Sequence, residues 1–162
     1  MRPPARHSSE RQAGDGHSDE IVFVALGSNL GDRAAHLAAA RAALASLPVT
    51  KLVAASEVEE TAPLGGPPGQ DPYLNQMVAL RTGLGPRALL DHLLSIEGAR
   101  GRERSTRWAP RTLDLDIVIY GDRYIAEPRL KVPHPELPNR DFWRRELEQV
   151  ERRLLPVNTK TP

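Results

Sequence analysis

The chain has 162 residues, 27% of them charged and 40% hydrophobic, with a formal net charge of +1. That length supports one ordinary globular domain with a real core, and the near-neutral balance argues against a general nucleic-acid binder, which is usually strongly basic. The absence of cysteine excludes disulfides and thiolate metal sites, and no apolar run approaches the length of a membrane span.

Residues 1–20 are polar and charged, so they bury too little surface to offset the entropy of ordering and are expected to be a disordered tail. They contain arginines but no apolar h-region, which excludes a secretory signal and leaves the cytoplasm as the expected compartment. The domain is expected over 21–155, with 156–162 as a short C-terminal tail. The apolar run Ile21-Val22-Phe23-Val24-Ala25-Leu26 reads as a central strand, ended by Gly27. A turn follows, with Asp32 as N-cap for a helix over 33–47 that stops at Pro48.

Residues 49–60 read as a second strand and 73–82 as a third. Between them, 61–72 is a Pro/Gly-rich loop whose length suggests function more than mere connection. Gly85-Pro86 opens a second helix running to about residue 99, with an apolar face at Leu90, Leu93 and Leu94. Glu97 continues that face and, on the residues alone, is expected at the helix margin, reaching water. A short strand at Tyr124 and Ile125, a proline-punctuated loop through His134, and a final helix over 141–154 complete the order. In the last helix Trp143, Leu147, Val150 and Leu154 share one face.

The order strand-helix-strand-strand-helix-strand predicts an α+β, ferredoxin-like βαββαβ core with helices on one face of a mostly antiparallel sheet. Its fourth strand carries the most informative residues. Side chains alternate across a strand, so Leu113, Leu115, Ile117 and Ile119 should face the core, and Thr112, Asp114, Asp116, Val118 and Tyr120 the other side. Two carboxylates on one strand face repel each other, in an element that disfavours Asp. At about 6–7 Å apart they suit a divalent cation that also binds phosphate.

The preceding segment, 98–111, holds Arg100, Arg102, Arg104, Arg107 and Arg111. The planar guanidinium fork fits phosphate oxygens. Acids that hold metal beside several arginines are the apparatus of phosphoryl transfer. Tyr73 and Asn75 share a strand face, where an aromatic ring beside an amide can stack on a flat heterocycle and read its edge. The chain has neither a P-loop nor a Gly-x-Gly-x-x-Gly turn.

Together these segments resemble the 6-hydroxymethyl-7,8-dihydropterin pyrophosphokinase family of folate biosynthesis. The matching pieces are 24–31, Glu60-Thr61-Ala62-Pro63-Leu64-Gly65, Tyr73-Leu74-Asn75, Glu97 with 101–104, 107–117, Val132-Pro133-His134-Pro135 and Asn139-Arg140-Asp141-Phe142. The resemblance implies transfer of pyrophosphate from ATP to the pterin hydroxymethyl group, releasing AMP. It implies two Mg²⁺ on Asp114 and Asp116, and ATP contacts from Glu97, Arg102, Arg104, Arg111, His134 and Arg140. It also implies a pterin site of Thr61, Leu64, Tyr73, Asn75, Trp108 and Phe142. Arg102, Arg111 and Asp116 would serve the chemistry, Asp116 being a candidate general base. A monomer that passes its product to dihydropteroate synthase is the implied partnership. Two rival readings are a nucleic-acid-binding ferredoxin-like module and a non-catalytic pterin binder, the latter because the chain after Phe142 departs from the family's apolar continuation.

Overall fold

A computed structural model describes residues 19–66, 68–101 and 112–156. The expected tails fall outside these residues except at their inner ends, and Glu20, expected in the N-terminal tail, instead starts the first strand. The main sheet has five strands, four of them in the order β2 (Thr50–Ala55), β4 (Tyr73–Thr82), β1 (Glu20–Ser28), β5 (Asp114–Tyr120), and every neighbouring pair is antiparallel. The short β3 (Glu59–Thr61) pairs with the start of β4, and β6 (Ile125–Glu127) pairs with β7 (Leu130–Val132) as a separate hairpin. β1 lies between β4 and β5, and its Val22–Leu26 stretch is buried on both faces, which is why it reads as an unbroken apolar run. The α+β, ferredoxin-like architecture is the observed one.

Helix α1 (Arg33–Ala45) starts where Asp32 accepts a hydrogen bond from the Ala35 amide at 3.0 Å, satisfying one of the otherwise unpaired first-turn donors. Helix α2 (Pro86–Ala99) has proline in its first turn, where no amide hydrogen bond is lost. Both pack on one face of the sheet, burying Leu37, Ala40, Leu44, Leu89 and Leu93 against Val22, Val24, Leu26 and Leu80. The third helix, α3 (Asp141–Leu154), covers the opposite face with Trp143, Leu147 and Val150 over Phe23, Ala25, Met77 and Ala79. One sheet face thus carries two helices and the other carries one.

Four details differ from the sequence expectation. The strand expected over 49–60 is two strands, because Ser56 breaks it. Its hydroxyl accepts from the Met77 amide at 2.9 Å, its amide donates to the Met77 carbonyl at 2.8 Å, and Gln76 Nε2 donates to its carbonyl at 2.8 Å. A side chain that takes over a ladder bond lets the backbone turn away. On α2 the buried stripe is Leu89, Leu93 and Glu97, not Leu90, Leu93 and Leu94. Glu97 is 3% exposed, so it lies inside and not at a margin.

On β5 the strict alternation ends at Val118. The pairing with β1 shifts between Phe23 and Val24, which inserts one extra residue into β5. Leu113, Leu115 and Ile117 face α1 and α2 as expected. Beyond the bulge the faces exchange: Tyr120 joins that core, its hydroxyl donating to the Leu84 carbonyl, while Val118 and Ile119 lie on the α3 side.

α3 also buries an acid. Glu146 is 1% exposed, and as a carboxylate its oxygens meet no donor among the described residues. Burial, first, and the neighbouring Glu59 carboxyl push its pKa up to about 9, with Arg145 opposing weakly. At neutral pH Glu146 is therefore protonated and can donate to Glu59. Because its folded pKa lies above the unfolded one, its contribution to stability is greatest below the unfolded value and falls as pH rises toward about 9. Glu146→Gln, which keeps a donor and removes the titration, should raise the melting temperature by roughly 3–6 °C at pH 8 and by little at pH 5. Thermal scans at the two pH values check this; an equal shift at both would show that ionisation of Glu146 is not the cause.

Candidate active site

The α3-facing side of the sheet is divided in two. α3 covers the half built on Phe23, Met77 and Val118, and leaves open the half at the end of β1 and the starts of β4 and β5. The antiparallel register sets what lies there. Gly27 is opposite both Asn75 of β4 and Asp114 of β5, and one step inward Ala25 is opposite both Met77 and Asp116. Two small residues on the central strand floor a cavity of about 300 Å³, walled by Tyr73 and Asn75 on one side and by Asp114 and Asp116 on the other.

The loop over 61–72 forms the rim. Thr61 pairs with Tyr73 across β3 and β4, and its hydroxyl accepts from Asn75 Nδ2 at 2.5 Å, so the two residues expected to read a ring edge are already joined. Leu64, Gly65 and Gln70 line the same rim. The far end of the loop is held by the turn after β1. Asn29 Nδ2 donates to Gln70 Oε1 at 3.1 Å and to the Asp71 carbonyl at 3.4 Å, while Arg33 donates to the Pro72 carbonyl at 2.7 Å and pairs with Glu60 at 3.3 Å.

The third wall comes from the segment after β7. The His134 amide donates to the Val118 carbonyl at 2.8 Å, which ties the segment to the bulge of β5. His134 Nδ1 accepts from the Glu136 amide at 3.1 Å, so a neutral ring carries its proton on Nε2, 3.8 Å from Asp116 Oδ1. Burial, and then the Arg140 guanidinium, hold the His134 pKa below the ordinary imidazole value, with Glu136 and Asp114 opposing less strongly. The ring is therefore neutral at pH 7 and presents a donor to the cavity. Arg140, Phe142 and Trp143 complete this wall, with the Phe142 and Trp143 rings 6.3 Å apart and steeply inclined.

Nine of the residues singled out from the sequence therefore line one cavity: Thr61, Leu64, Tyr73, Asn75, Asp114, Asp116, His134, Arg140 and Phe142. Glu97 does not; it is buried on the inner face of α2. Arg102, Arg104, Trp108 and Arg111 lie outside the described residues. Gln70, Glu136 and Trp143 line the cavity without having been singled out for it. The signal available for Trp143 was its place next to Phe142, but its position on the apolar stripe of α3 pointed only to the core.

The acid pair fits Mg²⁺. Both carboxylates are only partly buried, both border the cavity, and both offer hard oxygen donors in the number that Mg²⁺ usually takes from a protein. Among the described residues no group of three or more His, Cys, Asp or Glu side chains forms a denser metal site.

Comparison with known proteins decides the family. The model of the family described as 7,8-dihydro-6-hydroxymethylpterin-pyrophosphokinase (HPPK) matches residues 23–152. The chain belongs to this family.

Two relatives named 2-amino-4-hydroxy-6-hydroxymethyldihydropteridine pyrophosphokinase support the assignment. The one from Pseudomonas aeruginosa is 48% identical over 121 residues, 75% of this chain and 74% of its own. The one from Pseudomonas putida is 49% identical over 113 residues, 70% of this chain and 92% of its own. A crystal structure of an HPPK-DHPS in complex with substrates aligns with a TM-score of 0.52 at 15% identity, which bears on the fold alone. The alignment covers 67% of this chain and 29% of that longer one. Membership makes the chain an enzyme, a pyrophosphokinase that uses ATP, and sets aside the nucleic-acid-binding module. No helix among the described residues is long and apolar enough to cross a membrane.

The glycine between the two walls gives a test. A Cβ on Gly27 would sit 3.3 Å from Asn75 Oδ1 and 3.5 Å from Tyr73 Cδ1. Gly27→Ala should therefore displace Asn75 by a few tenths of an ångström. The KM for the pterin should rise about 5- to 20-fold, as expected for the loss of one good hydrogen bond. Steady-state kinetics and a melting curve check this; an unchanged pterin KM in the folded variant would show that the floor at Gly27 and Asn75 does not bear on pterin binding.

Proposed function

We propose that the enzyme transfers the β,γ-pyrophosphoryl group of ATP to the hydroxymethyl oxygen of 6-hydroxymethyl-7,8-dihydropterin. The pterin oxygen forms a bond to the β-phosphorus and the bond from the bridging oxygen to that phosphorus breaks. AMP leaves with the bridging oxygen, and the hydroxyl proton is released. The observation that supports this reading is the row Asn75–Gly27–Asp114, which sets a heterocycle-reading amide and a metal-holding acid on one cavity floor.

In this reading the pterin ring lies between Tyr73 and Phe142, and Asn75, Thr61 and the backbone at Leu64 read its edge. A flat aromatic slot with a few polar groups at its rim favours a planar heterocycle and fixes its rotation. Asp114 and Asp116 would hold two Mg²⁺, which would supply charge neutralisation for the triphosphate. His134 donates through Nε2, and Arg140 donates through its guanidinium, to phosphate oxygens on the near side. Arg102, Arg104 and Arg111 would contribute further cationic contacts, with Glu97 near the nucleotide and Trp108 near the pterin. Asp116 would be the candidate to accept the hydroxyl proton. Closure of the surrounding loops would exclude water, a competing acceptor. In this reading the product passes to dihydropteroate synthase, and the working unit is a monomer in the cytoplasm.

The decisive measurement is AMP formation from ATP, with and without the pterin and with and without Mg²⁺. AMP should require both. Asp114→Ala and Asp116→Ala should each lower the rate by about 10²-fold or more while the melting temperature stays close to the parent's. Parental rates in either variant would overturn the metal assignment, and pterin binding without AMP formation would establish a non-catalytic binder.

A further inference from the structure

Trp143 has two sides. One is buried among Phe23, Met77 and Leu147 in the α3 core, and the residue is only 3% exposed. The other faces the cavity and meets two polar groups there. The Arg140 guanidinium carbon lies 4.3 Å over the indole, and the His134 ring stands 4.9 Å away at 89°. Both residues come from the connection between β7 and α3, His134 near its start and Arg140 at its end, and the indole is the surface they share.

Arg140 makes this contact informative. Among the described residues it forms no ion pair, and its Nε is buried without a hydrogen-bond partner. An arginine at a binding site is commonly aimed by a carboxylate, which orients the fork but also cancels its charge. An aromatic face orients the guanidinium through its quadrupole and leaves the positive charge in place. His134 is placed in a related way: the Glu136 amide occupies Nδ1, the indole limits the tilt of the ring, and Nε2 is left toward the cavity.

We propose that Trp143 is a positioning residue for the nucleotide. It holds Arg140 uncompensated, and His134 beside it, on the wall where the triphosphate binds. The proposal rests on the pyrophosphokinase reading of the cavity. It assigns to the indole a part in substrate affinity distinct from its part in the core.

The test is a double-mutant cycle on binding of α,β-methylene ATP with Mg²⁺, read by titration calorimetry. Trp143→Leu keeps an apolar side chain and removes the aromatic face. It should weaken binding about 3- to 10-fold, the range of a partly desolvated cation–π contact. In an Arg140→Ala background the same change should weaken binding by a smaller factor than in the parent, about 2-fold, because only His134 is then left for the indole to position. Trp143→Phe, with a weaker face, should fall between parent and Trp143→Leu and covers the case in which the leucine variant fails to fold. Equal weakening with and without Arg140, or parental affinity in a folded Trp143→Leu or Trp143→Phe, would show a core role only and overturn the proposal. A parent protein that does not bind the analogue would overturn the nucleotide reading of the cavity, and this proposal with it.

Discussion

The site depends on one register: Gly27 of the central strand lies opposite Asn75 on one side and Asp114 on the other. Three residues far apart in sequence are thereby set in a row across two strand spacings, roughly 10 Å in all. That width suits a small bicyclic ring beside a phosphate-metal cluster. The centre of the row has no side chain, so the space above it is open. A slip of one residue on either side would turn Asn75 or Asp114 to the face covered by α1 and α2 and take its polar group out of the cavity. The apolar residues of β1, buried on both faces, hold the register against such a slip.

Much of the fold was legible because the long elements have strong local signals. β4 spans the residues that the pattern indicated, α1 begins at the capping Asp32, and Pro86 marks the start of α2. The misreadings arise where a tertiary contact overrides a local period. Ser56 breaks a strand through hydrogen bonds to Gln76 and Met77, residues about twenty positions away. The bulge at Val118 depends on how β5 meets β1, which no period within β5 encodes. The burial of Glu97 follows from the rotation of α2 about its own axis, and a stripe of adjacent leucines allows more than one rotation.

The site was legible by residue type more than by geometry. Paired acids on a strand, a Tyr-x-Asn face and the Pro-His-Pro and Asn-Arg-Asp-Phe segments each carried a chemical signal, and all of them border one cavity. Gln70, Glu136 and Trp143 gave no such signal. Gln70 belongs to a loop whose path is set by Asn29 and Arg33, and Glu136 contributes a backbone amide, which every residue type but proline provides. Trp143 looked like an ordinary core position because half of it is one.

α3 meets the chemistry with its first turn alone: Phe142 and Trp143 border the cavity, while Leu147 and Val150 answer only to the sheet. The demands on this one helix are therefore partitioned by turn. The first turn answers to the cavity as well as to the core, and the later turns only to volume and polarity against the sheet. A chain can rewrite most of such a helix, changing its charge pattern and its ending, without altering the cavity that its first turn borders.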